Sequence, residues 1–173
     1  MLKGEDIVLL LKLTHQGPGW TVRTLESETT IPRSVVQRSL TRLWQAGLFD
    51  RRRRVANVSQ TEEFLIHGLK YVFPGSVSGE SRGFVTAWAA KPLVDKVAAA
   101  SNDLPPVWPS AQGDTRGLAL EPLHASVVEA AQRDSVLREQ LTLVDAMRIG
   151  DARIRGLAAD LLTERLSGSP NEH

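Results

Sequence analysis

No cysteine occurs among the 173 residues, which excludes a disulfide scaffold, thiol catalysis and thiolate metal sites. No run of eighteen apolar residues is present, so the sequence predicts no transmembrane helix. The N-terminal MLKGEDIVLLLKL lacks the layout of a cleavable signal, and Lys12 interrupts its short apolar core, as in an amphipathic first helix. Catalytic signatures are missing too: there is no HExxH, G-x-S-x-G, Walker loop or G-x-G-x-x-G. His15, His67, His124 and His173 show no metal-ligand spacing and read as core or surface histidines. No cofactor or metal is expected. With 42% hydrophobic and 24% charged residues the chain has an ordinary soluble composition, long enough for one or two small domains. A cytoplasmic location is the simplest reading.

Net charge is almost absent as well, at +1, but it is unevenly placed. Residues 1–60 hold ten Lys/Arg against five Asp/Glu, and the remainder holds eleven against fifteen. A basic head on an acidic body suits a chain whose first part meets a polyanion. The sharpest absence is local: no acid occurs from Pro32 to Gly47. Solvated helices usually mix acids and bases in i,i+4 pairs. A polar face of Arg, Gln, Ser and Thr alone suits phosphates and base edges.

That segment reads as a helix over 32–46. Pro32 suits its first position and Gly47 the left-handed residue past its end. Val36, Leu40, Leu43 and Trp44 form a buried stripe at helical spacing. Ser34, Arg38, Thr41 and Gln45 take the opposite side, with Gln37 and Arg42 at its edges. Before it, helices are expected over about 4–15, with Ile7, Leu10, Leu11 and Leu13 inward, and over about 22–29, with a short strand near Trp20–Val22. After it, Leu48–Phe49 and Val55–Val58 read as two short strands around a tip at 50–54. A capping box at Ser59 and Glu62 launches a fourth helix to about Tyr71.

Residues 76–122 are rich in Gly, Ser and Pro and read as an ordered, loop-rich connector. Within it GESRGFV (79–85) is echoed by GDTRGLA (113–119), and each copy leads to a Pro-Leu pair, as two alike loop-to-helix leads. Residues 123–167 are helical, with Asp134 as an N-cap and Gly150–Asp151 as an interruption. Leu137, Leu141 and Val144 mark one apolar stripe and Ile154, Leu157, Ala158, Leu161 and Leu162 another, suited to dimerisation or partner contact. Residues 168–173 read as a disordered tail.

Two candidate sites follow. Arg33, Ser34, Gln37 and Arg38 are placed to read base edges, Arg38 by paired bonds to guanine and Gln37 to adenine. Thr41, Arg42, Arg51, Arg52, Arg53 and Arg54 are placed to contact phosphate. The bland alternative is a solvated helix and linker in a protein-binding domain. Separately, Arg82 and Arg116 suggest a structural clamp or an effector site, with clamping preferred. Asp145, Arg148, Asp151, Arg153 and Arg155 bracket Gly150 and read as salt bridges and caps rather than a ligand site.

Residues 1–75 resemble the winged helix-turn-helix domains of bacterial transcription regulators, broadly of the MarR type. SVVQRSLTRLWQAGLF (34–49) is similar to the recognition helix and the AGL that precedes the wing in that family. The resemblance implies a homodimer on a pseudo-palindromic operator, with Ser34, Gln37, Arg38 and Thr41 in the major groove. The wing here is shorter and lacks the family's Asp-x-Arg tip. The expected fold is mainly α: a winged helix-turn-helix domain with a small two-stranded wing at 1–75, a connector at 76–122 and C-terminal helices at 123–167. The expected function is sequence-specific regulation through double-stranded DNA, without enzymatic activity or membrane contact. The alternative is an antitoxin-like or other interaction subunit whose same domain binds a protein partner.

Overall fold

The computed structural model describes residues 1–98 and 103–168. The chain is mainly helical, with one small two-stranded antiparallel sheet and a separate three-stranded sheet. Helix α1 (Gly4–His15) is followed by α2 (Val22–Thr29), α3 (Arg33–Gln45), strands β1 (Phe49–Asp50) and β2 (Val55–Ala56), and helices α4 (Val58–His67) and α5 (Leu69–Val72). Strands β3 (Val77–Val85), β4 (Pro106–Pro109) and β5 (Thr115–Leu120) come next, then α6 (Val127–Arg133), α7 (Ser135–Ile149) and α8 (Ala152–Ser167). Among the described residues no helix is long and apolar enough to cross a membrane. Of the expected tail, residues 169–173 lie outside the described residues.

α1 is not an amphipathic surface helix. Every residue from Asp6 to Thr14 is buried, Lys12 included, because α3, α7 and β2 all pack around it. One continuous apolar cluster runs from α1 through α8, so residues 1–75 and the C-terminal helices share a core. The stripe expected to supply a dimer seam belongs to this core: Leu137, Leu141, Val144, Ala158 and Leu162 are buried within one chain.

Charge on a buried helix has to be answered. Lys12 Nζ lies 2.6 Å from Asp134 Oδ2 and 3.0 Å from Glu28 Oε2, and His15 Nε2 lies 2.7 Å from the same Asp134 oxygen. The other Asp134 oxygen accepts the Val136 and Leu137 N–H groups, each at 3.0 Å, capping α7 as the sequence suggested. Thr14 Oγ1 accepts from Gln140 Nε2 at 2.9 Å, a further buried α1–α7 link.

The segment expected as a loop-rich connector is corrected by the structure. β3 pairs antiparallel with β4 and β5, and β4 pairs parallel with β5, so the three strands close on themselves. The two echoed motifs are not loops leading to helices; they pair with each other. Gly83 faces Thr115, Arg82 faces Arg116 and Ser81 faces Gly117, a local two-fold about the arginine pair. The repeated glycines let β4 pass close by. A Cβ on Gly83 would lie 2.0 Å from the Trp108 carbonyl oxygen, and one on Gly117 would lie 2.2 Å from that of Pro105.

Smaller differences have local causes. Residues 20–22 form no strand, because Thr21 caps α2 by accepting the Thr24 N–H at 3.0 Å. Ser59 is inside α4, whose N-cap is Asn57, so the expected capping box does not form. Pro32 is the N-cap of α3 rather than its first residue.

Two outcomes are expected from these contacts. Gly117→Ala should displace β4 and cost at least about 1–3 kcal/mol of stability in thermal or urea unfolding; an unchanged midpoint would refute the close approach. For Asp134, burial pushes the carboxyl up, but hydrogen bonds from His15, Lys12 and the Leu137 N–H outweigh it and hold it below the ordinary value near 3.8. Its ionised form therefore stabilises the fold above that value, and the contribution is lost as pH falls through the lowered one. Asp134→Asn keeps a capping oxygen but removes the charge. It should cost roughly 3 kcal/mol at pH 7, with the gap to wild type closing in acid; a gap independent of pH would refute the ion pairs.

Candidate nucleic-acid interface

α3 is positioned from three directions. At its N-terminus Pro32 has no side-chain acceptor, and the Glu26 carboxylate from α2 accepts the Arg33 N–H at 2.6 Å instead. An acid there also suits the positive end of the helix. The turn between α2 and α3 puts Thr30 in the left-handed region at φ 63°, and Ile31 enters the core. At its C-terminus Gly47 is left-handed as expected, at φ 78°. Along its flank Arg42 reaches α1: its Nε and one terminal nitrogen each lie 2.8 Å from Asp6 oxygens, and that nitrogen also meets Ser39 Oγ at 3.2 Å. The Asp6 hydrogen bond, opposed by burial, raises the Arg42 pKa further above its already high ordinary value.

Arg42 is therefore an internal strut and not a free phosphate contact, correcting the sequence-based expectation. Trp44 also departs from expectation. It is 46% exposed, while Val36, Ser39 and Leu43 form the buried face. At 100° per residue Leu43 lies about 20° to one side of Val36 and Ser39 about 60° to the same side, whereas Trp44 lies about 80° to the other. The true stripe is centred away from the indole.

The turn between β1 and β2 consists of the four arginines alone, Arg51 to Arg54. Asp50 organises it, accepting the Arg53 N–H on its side chain at 2.9 Å and the Arg54 N–H on its carbonyl at 2.7 Å. Arg54 takes φ 61° and packs on Trp20. Its guanidinium lies 4.1 Å above the Trp20 ring and donates to the Trp20 carbonyl at 2.9 Å, while the Trp20 indole donates to the Arg54 carbonyl at 3.0 Å. Arg54 thus fastens the turn to Trp20 while it stays exposed beside the other three arginines. Arg51 leans back on α3, 4.0 Å above the Trp44 ring and 3.3 Å from Thr41 Oγ1.

What remains outward is a compact face. Ser34, Gln37, Arg38 and Thr41 are all exposed on α3, and Arg51, Arg52, Arg53 and Arg54 are exposed on the adjoining turn. Arg33 is also exposed, with its guanidinium 3.9 Å from Glu26. Among the described residues Arg38 and Arg52 make no ion pair or side-chain hydrogen bond. The helix face and the turn are joined through Arg51, so they present donors as one surface.

The second candidate site behaves differently. Arg82 and Arg116 are exposed cross-strand neighbours on the sheet, and Arg116 Nε bonds Glu80 Oε2 at 2.7 Å. Around Gly150 the acids and bases serve structure. Arg148 pairs with Asp145 at 2.9 Å, Asp151 caps α8 through the Ile154 N–H at 2.9 Å, and Arg155 donates to the Gly150 carbonyl at 2.9 Å. Among the described residues no group of three or more His, Asp or Glu side chains is placed to hold a metal ion. No family model, curated protein or solved structure matches the chain.

The two classes of arginine should separate in unfolding experiments. Arg42→Ala leaves Asp6 buried and unpaired, and should cost roughly 3–5 kcal/mol. Arg38→Ala should stay within about 0.5 kcal/mol of wild type. Equal midpoints for the two variants would refute the division.

Proposed function

We propose that the chain is a sequence-specific regulator that binds double-stranded DNA and has no enzymatic activity, with α2, α3 and the β1–β2 turn acting as a winged helix-turn-helix of broadly MarR-like type. The observation that carries this reading is the acid-free outer face of α3 running on to a turn made only of arginines. Ser34, Gln37 and Arg38 then meet base edges in the major groove, and Thr41, Arg51, Arg52 and Arg53 meet phosphates. Fixing α3 through Arg42 and the turn through Arg54 supports the reading, because donors already held in place lose little freedom on binding. A cytoplasmic location accompanies it. A dimer on a pseudo-palindromic operator needs a seam other than the buried α7–α8 stripe.

A second reading, an antitoxin-like or other interaction subunit, is favoured by one observation: the exposed indole of Trp44 beside arginines. Trp and Arg are the residues most enriched at energetic centres of protein interfaces.

Titration of labelled fragments from the protein's own upstream region across a salt series distinguishes the two. The DNA reading expects selective binding whose logarithm falls linearly with log salt. Arg52→Ala should weaken all fragments alike and take about one off the slope. Arg38→Ala should instead erode the preference between fragments, by roughly 1–3 kcal/mol. A folded protein with no selectivity and no salt slope would move the assignment to the interaction subunit.

A further inference from the structure

At the junction of α3 and the arginine turn lies an open cleft of about 590 Å³, lined by Trp44, Gly47, Phe49, Asp50, Arg51, Arg52 and Asn57. Its composition is unusual for a surface that grips only phosphate. A phosphate contact needs charge and N–H donors, and the face of an indole adds neither. Trp44 is nevertheless the largest side chain left exposed on α3, and the Arg51 guanidinium lies 4.0 Å above its ring. Arg51 is held from a second side by Thr41 Oγ1 at 3.3 Å. Beside this stack, Asn57 is anchored by its Nδ2 to the Gly47 carbonyl at 2.7 Å, which leaves its side-chain oxygen as an acceptor on the cleft wall. Arg52 is exposed at the mouth.

An indole, a guanidinium plane, an amide oxygen and a second guanidinium together match one ligand chemistry: a nucleotide. Bases stack on aromatic rings and on arginine planes, and the stacking is tolerant of base identity because every base has a π face. A base inside a duplex is already stacked on its neighbours and cannot enter. We propose that the cleft binds one unpaired nucleotide, its base stacked as a third layer on the Trp44–Arg51 pair and its phosphate held by Arg52. The inference rests on the DNA reading of α3 and deepens it. With Arg38 and Gln37 on a duplex, the cleft at the other end of the same helix takes the first unpaired nucleotide beside it. The preferred target is then DNA with an opened or single-stranded position flanking the duplex site, and a free nucleotide is the other source of the same chemistry.

The test compares three probes on the full chain: a blunt duplex, the same duplex with a short single-stranded extension, and deoxyadenosine monophosphate alone. The extension should tighten binding about tenfold over the blunt duplex. Trp44→Leu and Arg51→Lys should each abolish that ratio, the second while keeping the charge, whereas Trp44→Phe should retain most of it. Melting of each variant confirms that it is folded. Equal binding of blunt and extended duplexes by the wild type overturns the cleft assignment and leaves the duplex reading standing. A preference that survives both Trp44→Leu and Arg51→Lys overturns it as well. If neither DNA binds at low salt, the duplex reading fails, and the mononucleotide decides the cleft by equilibrium dialysis. Retention that is lost in Trp44→Leu supports a free-nucleotide site, and no retention overturns it.

Discussion

The bidentate pair between Asp6 and Arg42 is the contact on which the presentation of α3 depends. Asp6 is fully buried in the first turn of α1, and Arg42 is the residue of α3 that reaches it. A charge in that position is stable only when a partner holds it in good geometry. Removing Arg42 strands Asp6, whereas Arg42 without Asp6 keeps Glu5 at 3.4 Å. Such a pair contributes less to net stability than its Coulomb energy suggests, because both groups lose water. Its consequence is directional. With Arg42 fixed against α1, the rotation of α3 about its own axis is set. Val36, Ser39 and Leu43 face the core, and Ser34, Gln37, Arg38 and Thr41 face out.

The opposite end of α1 repeats the arrangement. Lys12 and His15 converge on Asp134, whose other oxygen caps α7, so one carboxylate ends a helix and neutralises a buried lysine. A helix packed on all sides by apolar neighbours would be free to slide or rotate at modest cost. Placing an acid near one end and a base near the other, each answered by oppositely charged partners on neighbouring elements, removes that freedom. The arginine turn follows the same logic on a smaller scale. Two indoles sort four adjacent arginines, Trp20 holding Arg54 over its ring and Trp44 holding Arg51 against α3. Arginines that would otherwise repel one another are thereby directed along different lines.

Local periodicity made much of this legible. The bounds of α1 and α2, the left-handed Gly47, the two short strands and the cap at Asp134 all follow from patterns within a few residues of each other. What was not legible depends on partners far away in the chain. Arg42 looks like any other arginine on a basic helix until Asp6, thirty-six residues earlier, is placed beside it. Arg54 is indistinguishable from Arg52 until Trp20 is seen beneath it. Trp44 reads as core in the sequence because eight residues approximate two helical turns. The excess rotation is enough to carry a side chain from the edge of a buried stripe to the surface. The sheet is hidden in the sequence for a different reason: glycines that suggest loops are here the positions where one strand passes close to another. The echo between 79–85 and 113–119 was the available signal, since two alike segments that each need close approach can satisfy it by pairing.

The sheet is not an appendage to the helices. Asp145 of α7 is buried and accepts the Thr86 hydroxyl and the Trp108 indole N–H, each at 2.7 Å, together with Arg148 at 2.9 Å. Burial pushes its carboxyl above the usual range, against the opposing Arg148 charge and the Thr86 and Trp108 hydrogen bonds. Arg148 in turn donates to the Phe73 carbonyl at 2.9 Å, where the chain leaves α5 for β3. A polar path therefore runs from the sheet through Asp145 to α7, from α7 through Asp134 to α1, and from α1 through Asp6 to α3. Each link is a buried or half-buried charge whose partner cannot be exchanged for water without cost. A shift of the sheet relative to α3 has to break or re-form at least one of them. The outward face of α3 and its arginine turn are thus held by the whole fold rather than by their own short segment.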